Sequence, residues 1–173
     1  MSIVLNGTTG ITTPALDSVA KFSSADMPAG NVIQVVSAIK TDAFSSSATS
    51  PTDITGLSAT ITPTSASNKI LVFAVLCGNN SSNGMHIRYV RNGAVLAVGD
   101  VSPQAATGLI FEAGGSTVES SSYIYLDSPS STSALTYQGQ VWTGGGTSYV
   151  NRSPNGAGSG GGVSTITLME IAG

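Results

Sequence analysis

Eight consecutive residues, Ile70 to Cys77, are apolar, within the segment Asn68-Lys69-Ile70-Leu71-Val72-Phe73-Ala74-Val75-Leu76-Cys77. A half-exposed strand alternates apolar with polar, so an apolar strand of this kind needs cover on both faces. Ile70, Val72, Ala74 and Leu76 share one face; Leu71, Phe73, Val75 and Cys77 share the other. β-branched residues, the short length and turn residues at each end favour a strand over a helix. One cover is expected to be a second sheet, the other a second subunit.

The rest of the pattern is also that of strands. Val32 to Ala38 is rich in β-branched residues, and Leu57, Ala59 and Ile61 alternate with Ser58, Thr60 and Thr62. Met85 to Arg91 and Ala94 to Val98 flank Asn92-Gly93, a type I′ hairpin signature. Thr107 to Phe111, Ser122 to Leu126, Leu135 to Trp142, a short piece at Tyr149 and Val150, and Ser164 to Ile171 complete the set. Phe44 to Pro51, Asn79 to Gly84 and Asn155 to Gly162 read as loops. No helical period of useful length follows residue 30. The expected fold is all-β, an antiparallel β-sandwich of jelly-roll type. Residues 1–30 differ: a short strand at Ser2 to Leu5, a turn at Asn6 to Gly10 and a Pro-interrupted stretch cannot hold a core. They read as an extended N-terminal arm that docks on a neighbour or winds with other copies, and residues 31–173 as the sandwich.

Composition sharpens this picture. The chain has 173 residues and 40% hydrophobic content, yet only 9% are charged, against roughly 25% in ordinary soluble proteins. Hydroxyls and amides hydrate such a surface with little repulsion between copies. The net charge of -3 and the lack of a basic run argue against nucleic-acid binding. No segment approaches the roughly 20 apolar residues of a membrane span, and Met1 to Leu5 lacks the basic start of a signal peptide. The single cysteine, Cys77, reads as a small buried core residue.

Catalytic chemistry is poorly supported. His86 is the sole histidine and no nucleophile elbow stands at a strand-to-helix turn; its alternation with Arg88 and Val90 puts it on a solvent or subunit face. Asp100, Glu112, Glu119 and Asp127 lie near strand ends, where paired carboxylates could serve glycoside hydrolysis, but such acids are usually just solvated. One Cys and one His cannot build a zinc site, and no phosphate cradle or other cofactor motif exists. Two constellations remain for binding. One is the loop with Asn79, Asn80 and Asn83 near His86. The other combines Trp142, Tyr149, Asn151, Arg152 and Asn155, an aromatic face beside amides and an Arg that would suit a sugar. The rival reading packs Trp142 in the core and leaves the asparagines to turns, and it is the one favoured.

Four phrases carry a resemblance: Leu5-Asn6-Gly7-Thr8-Thr9-Gly10-Ile11-Thr12-Thr13-Pro14, Met27-Pro28-Ala29-Gly30-Asn31-Val32-Ile33-Gln34-Val35-Val36, Ile61-Thr62-Pro63-Thr64-Ser65-Ala66-Ser67-Asn68-Lys69-Ile70-Leu71-Val72, and Thr165-Ile166-Thr167-Leu168-Met169-Glu170-Ile171. With these the chain resembles tail-fibre and related virion surface proteins of tailed phages, especially those of marine and freshwater bacteria, including cyanophages. The resemblance implies a homotrimeric, non-enzymatic component of the virion exterior, synthesised in the host cytoplasm, and carries over no functional residue. The expected role is a short tail fibre in host attachment, with Ile3, Leu5, Ile11, Pro14 and Leu16 as candidate docking residues for other virion proteins. A capsid decoration or head-fibre protein and a module binding host surface glycan are the alternatives.

Overall fold

The computed structural model describes residues 5–6, 10–11, 28–97, 99, 106–110, 117–156 and 161–173. The described residues are all-β, and their antiparallel sheets pack together as a β-sandwich. A two-residue pair, β1 (Leu5–Asn6) and β2 (Gly10–Ile11), forms a small separate hairpin. The expected strand at Ser2 to Leu5 overlaps it only at Leu5; Ile3, Pro14 and Leu16 lie outside the described residues.

The first sheet contains β3 (Val32–Lys40), β4 (Phe44–Ser46), β6 (Lys69–Asn80), β10 (Glu119–Asp127), β12 (Ser148–Val150) and β13 (Ser164–Ile171). β10 lines one edge of β6, while β13 and then β12 share the other. β3 and β4 pair in turn with β13 and β12. The second sheet orders β5 (Thr52–Ile61), β11 (Leu135–Thr143), β7 (Met85–Arg91) and then β8 (Ala94–Val95) with β9 (Gly108–Ile110). The pairings nest: β3 with β13, β5 with β11, β6 with β10, and β7 with β8 and β9. Apart from the local β1–β2 and β7–β8 hairpins, antiparallel partners are thus drawn from distant parts of the chain.

Alternation decides what is buried. Ile70, Val72, Ala74 and Leu76 of β6 are fully buried with Ile166 and Leu168 of β13, and face Leu57, Ile61, Ile87, Tyr137 and Val141 of the second sheet. Between the Ser58–Gln138 and Asp53–Gln140 pairs β5 carries three more residues than β11, with Gly56 at φ +82°, so that Ile54 and Leu57 both turn inward across two exposed positions. Gln138 donates to the carbonyls of Ile54 and Leu57 at 2.8 and 3.1 Å and fills the bulge. Asn92 and Gly93 both have positive φ, as a type I′ turn requires.

Two polar bolts cross the interior. Asp127 of β10 accepts from Arg91 of β7 and, at 2.7 Å, from the Tyr137 hydroxyl of β11, tying the sheets together. This acid was expected to be solvated; Arg91 and Tyr137 instead neutralise and satisfy it as it is buried. Glu170 of β13 is fully buried and accepts from Gln34 Nε2, Thr64 N, Thr64 Oγ1 and Asn68 Nδ2, each within 2.8 Å. Asn68 in turn accepts from the Gly173 amide.

Cys77 differs from expectation. It alternates with buried Leu76 and so stands half-buried on the outward face of the first sheet. Asn79 and Asn80 also differ: they extend β6 into what reads as a polar loop, because β12 pairs with them.

Burial alone would raise the Glu170 carboxyl, but the donors from Asn68, Gln34 and Thr64 outweigh it and hold it below the usual value. Such a group adds stability above its unfolded value and loses it as pH falls through the folded one. The unfolding free energy is therefore expected to drop as pH falls below about 4.5, the ordinary glutamate value. In urea titrations, Glu170→Gln should lower stability at neutral pH by about 1–3 kcal/mol and flatten that acid limb. Exposed Asp42, also lowered through its hydrogen bond to Lys40, leaves a residual slope.

Candidate functional site

The loops at the Asn80 end of β6 form the one cluster that holds both predicted constellations. They comprise residues 41–43, 47–51, 81–84 and 144–147, and the described part of 151–163. Backbone and hydroxyl bonds tie them: Ser81 N to Thr147 O at 3.0 Å, Thr147 N to Ser81 Oγ at 2.8 Å, and Thr143 N to Ala48 O at 3.0 Å.

Two buried asparagines organise this end. Asn80 donates to Thr143 Oγ1 at 2.9 Å and Ser148 Oγ at 3.2 Å, and its Oδ1 accepts from the amides of Ser82 and Asn83. The side chain thus shapes the 81–84 loop as an Asx turn would. Asn151 sits at φ +61°, a left-handed conformation that Asn tolerates better than most residues. It donates to the carbonyls of Lys40 and Asp42 at 2.8 and 3.0 Å and accepts from Ser164 Oγ at 2.7 Å. Ser164 also receives the Cys77 amide, so β3, β6 and β13 meet at one amide and one hydroxyl. Asn79 donates to Thr117 O.

These positions correct the candidate contact set. Asn79, Asn80, Asn151 and Trp142 are buried, and their polar or aromatic surface is spent within the chain. Trp142 belongs to β11 of the second sheet and Tyr149 to β12 of the first, so the two aromatics do not form one platform. The Trp142 ring stacks on His86 at 5.1 Å, with the Arg88 guanidinium 5.7 Å from its centroid. Desolvation lowers the His86 pKa and favours a neutral imidazole there. Tyr149 and Arg152 do come together, with the guanidinium 4.5 Å over the ring, and both are half-buried. Asn83 and Asn155 are exposed. What remains for contact is Asn83, Tyr149, Arg152 and Asn155, an arrangement of amides, one flat face and one cation suited to hydrogen-bonding ligands, with no nucleophile–base pair among them.

Sequence reasoning missed the buried hydrogen-bonding roles of Asn80, Asn151 and Glu170. The signal that was available is position: polar residues continuing a strand's inward-facing alternation must find partners inside. Among the described residues, no group of three or more His, Cys, Asp or Glu stands close enough to hold a metal ion. The buried Tyr89 ring and the half-buried Tyr123 ring stack across the two sheets at 4.7 Å, and burial pushes both hydroxyls well above the usual tyrosine value.

Removing Asn151 should therefore cost structure and not contact. Asn151→Ala is expected to lower the unfolding free energy by about 2–3 kcal/mol, from lost buried hydrogen bonds and a non-glycine residue at positive φ. Asn83→Ala and Asn155→Ala should stay within about 0.5 kcal/mol of the parent. Denaturant midpoints of the three variants make the comparison.

No protein-family model matches the chain, and no curated protein matches it. Among solved structures, that of infectious bursal disease virus, Gt strain, is similar at a TM-score of 0.40 and 16% identity. The match covers 99% of this chain and 43% of that one, so the chain spans less than half of its length.

Proposed function

We propose that the protein is a non-enzymatic structural component of a virion exterior, a homotrimeric short tail fibre that contacts the host. The observation that carries this reading is the polarity of the sandwich. At one end of β6, Gly30 N donates to Ala172 O and Ala172 N to Asn31 O, each at 2.8 Å, so the N-terminal segment meets the sandwich there. The braced loops with Asn83, Tyr149, Arg152 and Asn155 stand at the other end. Twelve residues of β6 separate the two, a distance of roughly 36 Å at about 3.3 Å per residue. Such a body attaches by residues 1–30 and presents loops away from the attachment.

The nested strand order supports a jelly-roll description, an architecture used by viral capsid and lectin domains. That support is fold-level analogy, and it fits the resemblance of the sequence to tail-fibre and related virion proteins. Rigid loops suit recognition, because binding then costs little ordering of the chain.

Particles assembled without the protein should adsorb to host cells at least about tenfold more slowly while their shells keep their heat tolerance. Heat-labile shells with normal adsorption would contradict the fibre role and favour capsid decoration. A chain lacking residues 1–26 should stay folded and fail to join particles; normal incorporation would contradict the attachment role of that segment.

A further inference from the structure

The two outer faces of the sandwich differ in chemistry. On the second sheet Trp142 is buried against His86, and the other outward groups include polar side chains bonded to one another across strands. Arg88 Nε donates to Gln140 Oε1 at 2.7 Å, Gln140 Nε2 to Asp53 Oδ1 at 2.6 Å, and the Thr60 and Thr136 hydroxyls share a bond of 2.8 Å. That face suits water.

The first sheet is the opposite. Val35, Met169, Leu71 and Leu126 stand side by side in one row across β3, β13, β6 and β10, and Phe73 and Ile124 are adjacent in the next. Ile124 is 66% exposed, Val35 56% and Phe73 38%. The polar outward neighbours in these rows and the next, Ser37, Thr165, Thr167 and Ser122, are uncharged, and the Lys69 side chain lies at the margin. Four strands about 4.8 Å apart, carrying four outward rows about 6.8 Å apart, give a patch of roughly 500 Å². A face of this size lies at the upper end of what monomers leave in water, where such patches often serve contact.

We infer that the outward face of the β3–β13–β6–β10 sheet is the surface on which copies of this chain pack against one another. Two such faces in contact remove roughly 1,000 Å² from water, the scale at which a specific interface becomes stable. The face suits a second copy in particular. Its rows carry no charged side chain but Lys69 at the margin, so three copies can turn it toward a common axis without opposing like charges. Its centre, with Leu71, Phe73, Ile124, Leu126 and Met169, is aliphatic and aromatic and free of charge, as interface cores are. This inference names the contact surface for the assembly proposed above and rests on that reading for the number of copies.

The test uses the purified full-length chain without particles, so its result is independent of any adsorption outcome. Sedimentation at micromolar concentration should give about three times 17.3 kDa for the parent chain. Ile124→Lys should weaken association at least about 100-fold and sediment near 17.3 kDa with its β circular dichroism retained. Leu126→Ser, a milder change, should raise the dissociation constant about tenfold or more. Thr60→Lys, on the polar face, should leave assembly intact. Cys77, on the same outward face as Phe73, should react with a small thiol reagent at least about tenfold faster in Ile124→Lys than in the parent. A monomeric parent chain, or a folded Ile124→Lys protein that assembles as the parent does, would overturn the inference. So would a monomer whose Cys77 becomes reactive only when residues 1–27 are deleted, since the chain's own N-terminal segment would then be the cover.

Discussion

The fold depends on β6, a strand that is apolar on both faces and hydrogen-bonded along both edges. Its inward residues, Ile70, Val72, Ala74 and Leu76, are fully buried against the second sheet. Burial of this kind drives the sandwich together, at roughly 25 cal/mol per Å² of apolar surface removed from water. It does not by itself set register. In a one-sided strand a slip by one residue throws its apolar set into water. In β6 the slip would exchange Ile70, Val72, Ala74 and Leu76 for Leu71, Phe73, Val75 and Cys77, another apolar set.

Polar groups at the two ends of β6 resolve that ambiguity. Asn68, just before the strand, must reach Glu170, Thr64 and the Gly173 amide. Asn80, its last residue, must reach Thr143, Ser148 and the 81–84 loop. A one-residue shift would leave a buried carboxylate and two buried amides unpaired, which is far costlier than moving one methyl group for another. The same bonds have a second consequence. Those at Glu170 close the end where the N-terminal segment enters, and those at Asn80 and Asn151 brace the loops at the opposite end. Register, closure and loop rigidity thus share one set of hydrogen bonds.

Much of the fold was legible from alternation alone. Ser164 to Ile171 and the Asn92-Gly93 hairpin stand where the pattern puts them, and Leu57, Ala59 and Ile61 turn inward as expected. The two-faced character of β6 was equally plain, with its inner cover supplied by the second sheet. Less was legible of the site. Asn79, Asn80 and Asn151 look like loop residues, because composition says nothing of long-range partners such as Ser164 or Lys40. Asn151 meets Lys40 only after 111 residues of chain have folded back. From sequence Trp142 suits a sugar platform or the core; it is buried, yet outside the core cluster, stacked on His86. The β4 strand at Phe44–Ser46 was hidden in a Ser-rich stretch, since its pairing with β12 is made by tertiary contact and not by propensity.

The central claim is that one face of the sandwich is made for its own copies while the loops at one end look outward. Cryo-electron microscopy of particles that carry the protein tests both parts at once. The account predicts three copies on the exterior, with β3, β6, β10 and β13 turned toward one another and the Asn83, Tyr149, Arg152 and Asn155 loops at the distal tip. Isolated copies with Phe73 and Ile124 facing solvent, or loops buried against the particle, would contradict it.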